Sequence, residues 1–215
     1  MSGKLWHHGT QYAGDSLDPA TCPDDPFALF RAWFADAERA APDKCNAMTL
    51  ATVDASGRPS ARVVLLKELD DRGFVFYTNF ESNKGRQVLS HPQCALLFLW
   101  KTLDRQVQVK IEGIAEPVTH CEADAYFAQR PRMSQIGAWA SKQSQTLSGR
   151  DELMDRVREF EQRFEGQDVP RPPHWSGFRV VPDMIEFWYG ADYRLHDRLR
   201  YELVDGEWTK RALYP

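Results

Sequence analysis

Between residues 48 and 118 the sequence reads as five strand-like runs joined by short turns, and this most restricts the fold. Met48 to Asp54 leads through Ala55-Ser-Gly57 into Pro59 to Lys67, a hairpin pattern. Asp70-Asp-Arg-Gly73 is a second turn, followed by strands over Phe74 to Thr78, Cys94 to Trp100 and Arg105 to about Val118. The one helical stretch among them runs from Ser82, a good N-cap, to about Leu89 and is closed by His91-Pro92. Connections this short make an antiparallel meander or barrel, because a parallel crossover needs a dozen or more residues. Residues 119 to 165 turn helical: a helix from Thr119 to Arg130-Pro131, a short one over about 134 to 141, and a charged one from Ser148 to about Phe164. After the stiff connector Val169-Pro-Arg-Pro-Pro173, four more short strands are predicted: Phe178 to Val181, Met184 to Tyr189, Arg194 to Leu203 and Trp208 to Leu213, with Asp205-Gly206 as a tight turn.

Asp24-Asp25-Pro26 starts a helix that should bury Phe27, Phe30, Trp33, Phe34 and Ala37 and stop before Pro42. Residues 1–23 lack periodicity and are expected to be a mobile N-terminal arm, leaving 24–215 as a single domain. The fold class expected is mainly β with α: antiparallel strands in a β-barrel with helices packed outside.

Composition narrows the function. With 27 Lys+Arg against 31 Asp+Glu, the net charge of −4 speaks against a general nucleic-acid or membrane-surface binder. The apolar run Ala95-Leu-Leu-Phe-Leu-Trp100 is far too short to span a bilayer, and Met1-Ser-Gly-Lys-Leu-Trp has no signal-peptide apolar region. Cys22, Cys45, Cys94 and Cys121 form no CxxC pair, so a reducing, cytoplasmic setting is expected. No GxGxxG, P-loop, HExxH or GxSxG is present, so a bound nucleotide is not held by a glycine-rich loop. His7-His8 reads as a solvated tail rather than a ligand pair, and no metal is expected.

Three cationic sets remain. On a regular strand Arg194, His196 and Arg198 share one face, just after Trp188 and Tyr189; a solvated strand face is the plain alternative to an anion pocket. Tyr126, Arg130 and Ser134 are spaced four apart, with Pro131 breaking the helix between them, a plausible phosphate cradle or a helix-end arginine with scattered polar neighbours. Arg62 and Lys67 differ by five, so a regular strand puts them on opposite faces; either a bulge intervenes or one strand serves two compartments. Lys84, after Ser82, adds charge at a helix start. Three such sets in an acidic chain suggest more than one phosphate.

Several long runs, in order, carry a resemblance over about 24 to the C-terminus: Arg62-Val-Val-Leu-Leu-Lys67, Gly73-Phe-Val-Phe-Tyr-Thr-Asn79, Arg105-Gln-Val107, Tyr126-Phe-Ala-Gln-Arg-Pro-Arg132, Ser134-Gln-Ile-Gly-Ala-Trp-Ala-Ser-Lys-Gln-Ser144, Pro172-Pro-His-Trp175, and Glu186-Phe-Trp188 with Arg194-Leu-His-Asp-Arg198. They resemble the pyridoxine/pyridoxamine 5′-phosphate oxidases, flavoenzymes with an FMN-binding split barrel. The resemblance implies FMN held by Arg62, Lys67, Tyr77, Thr78, Lys84, Gln106, Gln143, Ser144, Trp188 and Arg198. It implies a substrate phosphate held by Lys67, Tyr126, Arg130 and Ser134, with Arg194 and His196 as the catalytic pair over the pyridine ring. It also implies a homodimer with FMN at the interface, and oxidation of pyridoxine or pyridoxamine 5′-phosphate to pyridoxal 5′-phosphate, with O2 accepting the electrons as H2O2.

The chain departs from that pattern at three places. Asn83-Lys84 stands where the family usually has Arg-Lys, so one cationic contact is missing unless Arg86 substitutes. The stretch from Gln106 to Gly113 is two residues longer than usual, which makes Gln108 an alternative to Gln106. The chain ends Ala-Leu-Tyr-Pro215 where the family commonly has Arg-Leu-Ala-Pro. The rival readings are a flavin oxidase of another heteroaromatic, of the phenazine type, and a non-catalytic flavin- or pyridoxal-phosphate-binding protein on the same barrel.

Overall fold

The computed structural model describes residues 17–101 and 106–215, so Arg105, His7-His8 and most of the expected arm lie outside the described residues. Helix α1 (Pro26–Ala40) precedes strands β1 (Ala47–Val53), β2 (Pro59–Leu65), β3 (Glu68–Asp70) and β4 (Gly73–Asn79). Then come α2 (Asn83–Ser90), β5 (Gln93–Trp100), β6 (Val107–Pro117), α3 (His120–Ala128), α4 (Arg132–Ala140) and α5 (Arg150–Arg163). The chain closes with β7 (Trp175–Tyr189), a short 3-10 turn at Asp192–Arg194, β8 (Asp197–Val204) and β9 (Glu207–Leu213). The strand order is β2-β1-β5-β6-β7-β4-β3, with β8 paired to β7 and β9 to β8. Every pairing whose register is defined is antiparallel. The mainly β expectation is therefore met.

The described chain divides into two compact units, one of residues up to Thr49 with Ala95–Glu112 and Pro182–Pro215, the other of Leu50–Cys94 with Gly113–Val181. In the first, Asp25 caps α1 by accepting from the Phe27 amide at 2.8 Å, and Pro26 fills the first turn. Phe27, Leu29, Phe30 and Ala37 are buried, and Phe30 packs on Phe98 at 5.2 Å between ring centroids. Trp33 and Phe34, expected in the core, sit at the flank of the stripe and are half-buried. Trp33 presents its edge to Phe187 at 5.0 Å. Each fully buried phenylalanine here contributes about 1.5–3 kcal/mol.

In the second unit the serine and threonine caps work as read. Ser82 Oγ accepts from the Gly85 amide at 3.2 Å, starting α2. Thr119 and Glu122 form a reciprocal capping box that starts α3. Helices α4 and α5 and the segment after them bury Ile136, Ala140, Phe160, Phe164, Val169 and Trp175 against Phe127. At the β3–β4 turn Gly73 has φ +150°, and a Cβ there would lie 2.0 Å from the Val180 carbonyl oxygen, so no side chain fits.

Several strand boundaries differ from expectation, the short β3 and the start of β7 at Trp175 among them, and three bear on the site. Pro59 to Lys67 is not one strand: β2 stops at Leu65, Leu66 turns inward and is buried, and the Lys67 amide donates to the Val75 carbonyl at 2.8 Å. That break, rather than a regular alternation, is what separates Arg62 from Lys67. Residues 178–181 and 184–189 belong to a single strand that runs through Pro182. Pro182 falls between the residues paired with β4 and those paired with β8, a place where neither of these two ladders needs its missing N–H. Finally, β8 begins at Asp197 rather than Arg194, because Tyr193 and Arg194 adopt positive φ (55° and 65°) and the Leu195 amide closes the turn on the Asp192 carbonyl at 2.9 Å.

The capping box has an acid-dependent consequence. The Thr119 amide and hydroxyl, with Arg179, pull the Glu122 carboxyl from its ordinary 4.5 down to about 2. A depressed folded pKa stabilises the native state above the unfolded value and loses that stabilisation as the pH falls towards 2. Thermal unfolding at pH 6 and pH 3 should therefore show a larger loss of Tm for the parent chain than for Glu122→Gln. Equal losses would remove Glu122 from the acid response.

Candidate functional site

A cavity of about 480 Å³ opens in the second unit. Its cations are Lys67, Lys84 and Arg130, and among the described residues no carboxylate lines it. The break after Leu65 delivers Lys67 to its rim, and the ends of β2 and β4 supply Val63, Leu65, Tyr77, Thr78 and Asn79. Helix α3 ends at Ala128, and the Pro131 carbonyl accepts from the Ser134 amide at 2.8 Å to start α4. Tyr126 on α3, Arg130 in the turn after it and Ser134 on α4 consequently reach the same cavity.

Aromatic rings make one wall. Tyr77 stacks on Tyr126 with centroids 4.0 Å apart and planes 8° apart, and Trp175 lies parallel to both within 4°. Arg130 spreads its guanidinium over Trp175, 4.7 Å from the ring centroid. Its Nη1 is buried and has no hydrogen-bond partner. A native donor in that state carries a desolvation penalty that an anion would relieve. Burial pulls the Arg130 pKa down, opposed by Tyr126, yet a guanidinium stays charged. Tyr77 does not offer its proton to the cavity, because its hydroxyl donates to Glu68 Oε1 at 2.7 Å; burial first, and then Glu68, raise its pKa.

A second cation pair lies in the same unit. Arg62 donates to four neutral acceptors: Thr52 Oγ1 at 2.6 Å, Ser60 Oγ at 2.7 Å, and the Leu50 carbonyl and Gln87 Oε1 at 3.1 Å each. Lys84 Nζ donates to Gln143 Oε1 at 2.8 Å and Ser82 Oγ at 3.4 Å. Neither has a carboxylate partner among the described residues, and burial, then the charge of Arg62, lowers the Lys84 pKa. Two desolvated cations compensated only by neutral groups suit a phosphoryl dianion such as that of FMN. Ser144, with φ 72°, accepts from the Asn83 amide at 3.2 Å, which docks the Gln143-Ser144 segment on the start of α2. Arg86 bonds the Glu81 carbonyl and Asn83 Oδ1 and does not line the cavity.

The remaining candidates lie in the first unit. Trp188 packs against the His196 ring at 4.5 Å, and the Ala191 amide donates to His196 Nδ1 at 3.1 Å. With Nδ1 accepting, a neutral His196 carries its proton on Nε2 and presents a donor there. Arg194 is exposed within the left-handed turn, so it does not share a strand face with His196 and Arg198. Arg198 is held by Glu186. The Gln106 carbonyl accepts from the Gly190 amide at 2.9 Å, and Gln106 and Gln108 are both half-buried with the buried Val107 between them.

Sequence reading missed Asn79, Trp175 and Gly137 in the cavity lining, and Gln87 and Thr52 around Arg62. Gln87 carried a faint signal, since it lies three residues after Lys84 on α2 and so near the same face.

The sequence model of the family described as pyridoxamine 5′-phosphate oxidase matches residues 34–164, and that of the pyridoxine 5′-phosphate oxidase C-terminal dimerisation region matches residues 175–215. The chain is an enzyme of the pyridoxamine 5′-phosphate oxidase family. A pyridoxine/pyridoxamine 5′-phosphate oxidase from Azorhizobium caulinodans is 57% identical over 197 residues, covering 91% of this chain and 92% of the relative. One from Myxococcus xanthus is 58% identical over 193 residues, covering 90% and 93%. Among solved structures, PhzG from Burkholderia lata 383, in complex with tetrahydrophenazine-1-carboxylic acid, is 34% identical. It has a TM-score of 0.86 and covers 94% of this chain and 98% of that one. A pyridoxamine 5′-phosphate oxidase-related, FMN binding protein from Nostoc punctiforme shares the fold at 15% identity and a TM-score of 0.70, covering 89% and 98%. The family's split barrel is the fold expected from the sequence. Among the described residues no helix is long and apolar enough to cross a membrane.

Proposed function

We propose that this chain oxidises pyridoxine 5′-phosphate or pyridoxamine 5′-phosphate to pyridoxal 5′-phosphate, working as a cytoplasmic homodimer. The observation that carries the reading is the unpartnered, buried Nη1 of Arg130 in a cavity that, among the described residues, is lined by three cations and no carboxylate. The chemistry FMN would supply when bound is that of a hydride acceptor for the substrate C4′ carbon, with the hydroxyl or amine losing a proton and O2 taking both electrons and both protons as H2O2; for the amine ester, water then releases ammonia to leave the aldehyde. Arg62, Lys67, Tyr77, Thr78, Lys84, Gln106, Gln143, Ser144, Trp188 and Arg198 would hold it.

Lys67, Tyr126, Arg130 and Ser134 bind the substrate phosphate, and this fixes the register of the pyridine ring. Tyr77, its hydroxyl committed to Glu68, contributes a flat ring face rather than a proton. His196 donates from Nε2 to a ring substituent, and Arg194 adds positive charge beside it. A second copy supplies its 175–215 region to complete the site, which agrees with the dimerisation region matched there.

An aerobic assay of the purified full chain tests this reading. A yellow protein that converts pyridoxine 5′-phosphate to pyridoxal 5′-phosphate, releases one H2O2 per product and is inhibited by inorganic phosphate is expected. Turnover of a tetrahydrophenazine carboxylic acid with none of the phosphate ester would overturn it in favour of the phenazine-type reading. A colourless protein that only binds pyridoxal 5′-phosphate would overturn it in favour of a carrier.

A further inference from the structure

Strand register places Glu186 opposite Arg200 and Trp188 opposite Arg198, so all four side chains share one face of the β7–β8 pair. The other face is apolar, with Ile185, Phe187, Leu199 and Tyr201 fully buried. Glu186 is only 6% exposed although it is an acid on the polar face. Its Oε1 accepts from Arg198 Nε at 2.9 Å and Nη2 at 2.7 Å. Its Oε2 accepts from Arg200 Nε at 3.2 Å and Nη2 at 2.9 Å. With an arginine fork on each oxygen, the carboxylate cannot rotate without breaking one of them.

Arg198 reaches diagonally across the pair to make this contact, and its Nη1 donates to the Tyr214 carbonyl at 3.1 Å. A guanidinium has five N–H donors in one rigid plane. Three are committed here, one on each of Nε, Nη1 and Nη2, which leaves one N–H on each terminal nitrogen. Their directions follow from the plane, and Glu186 and the Tyr214 carbonyl set the plane. A buried ion pair adds little net stability over apolar residues of similar size, so the geometric effect is the larger one.

We propose that Glu186 is a positioning residue for the cofactor: it fixes Arg198 so that its two remaining N–H groups meet an acceptor on FMN. The inference rests on the reading above that Arg198 contacts FMN. It explains why Arg198 and Arg200 tolerate adjacent places on one strand face, since the buried Glu186 carboxylate lies between them and aligns both, while Glu202 pairs with Arg200 as well, at 3.5 Å. It also gives the chain's Tyr214 a role through its backbone, which a side-chain difference at that position leaves intact.

The test is FMN affinity of the full-length protein, read by quenching of flavin fluorescence, with no turnover involved. Glu186→Gln keeps the shape and should weaken FMN binding about tenfold or more, because one charge-assisted fork is lost. In an Arg198→Ala background the same change should have almost no further effect, since a positioning residue acts only through its target. FMN binding by Glu186→Gln within about twofold of the parent, alongside a weakened Arg198→Ala, would overturn the proposal and leave the reading of Arg198 standing. Unchanged binding by Arg198→Ala itself would overturn that reading, and the proposal with it. Should Glu186→Gln fail to fold, Glu186→Gln with Arg200→Met removes opposite charges together. Its affinity should fall about tenfold below that of Arg200→Met alone, and equal affinities would overturn the proposal.

Discussion

Replacing Arg130 with methionine should raise the KM for pyridoxine 5′-phosphate about 100-fold and move the folding free energy by no more than about 1 kcal/mol. The first effect follows if, as proposed, Arg130 makes two charge-assisted hydrogen bonds to the substrate phosphate, each contributing about 1.5–3 kcal/mol. The second follows from what Arg130 does without ligand. It stacks on Trp175 and, more distantly, on Phe127, which stabilises by about 0.5–1 kcal/mol each. Against that stands a buried Nη1 with no partner. Methionine keeps contact with the rings and removes the orphaned donor, so the two changes offset. A steady-state titration and a urea melt together decide it. An unchanged KM would show that the phosphate lies elsewhere, and a loss of several kcal/mol would show that Arg130 is part of the core rather than of the site.

Arg179→Met should lower stability by about 2–4 kcal/mol, or Tm by about 5–10 °C, with a rise in KM. The Arg179 side chain is 7% exposed and joins Asp70 Oδ2 at 2.7 Å and Glu122 Oε1 at 3.0 Å. Removing it leaves two carboxylates with Arg72 alone. The expected loss is set below the 3–5 kcal/mol of a fully buried pair because the Asp70 side chain is 39% exposed and water screens it. Arg72→Met is the matched control: it touches the same two acids from a side chain that is 62% exposed and should leave the melting temperature almost unchanged. The rise in KM arises because Glu122 caps α3, which carries Tyr126, and Asp70 closes the turn before β4, which carries Tyr77. Equal effects of the two substitutions in a thermal melt would show that burial does not distinguish the arginines.

The features that could be read from the chain are those decided by a few neighbouring residues. Asp25, Ser82 and Thr119 cap helices because each side chain bonds an amide two or three positions on. Pro131 parts α3 from α4, and Asp205-Gly206 turns β8 into β9, for equally local reasons. What stayed hidden depends on partners distant in sequence. The end of β2 at Leu65 is set by Val75, and the passage of β7 through Pro182 by which strand lies beside each half. Strict alternation from Arg194 to Arg198 failed because the Ala191 amide and Asp192 carbonyl draw the chain into a tight turn instead. Glu68 carries no motif, Gln87 only a helical spacing from Lys84, and Glu186 only a place in a family run that does not state its role; each is defined by the arginine or tyrosine that folding brings to it.

The parallel rings of Tyr77, Tyr126 and Trp175 form an optical device as well as a wall. Stacked transitions couple, and their near-ultraviolet circular dichroism depends on spacing and tilt. An anion drawing Arg130 off the Trp175 face changes the field across that indole and shifts its emission. With Arg130 holding the substrate phosphate as proposed, the molecule would carry a colourless gauge of phosphate occupancy, legible before any flavin is added.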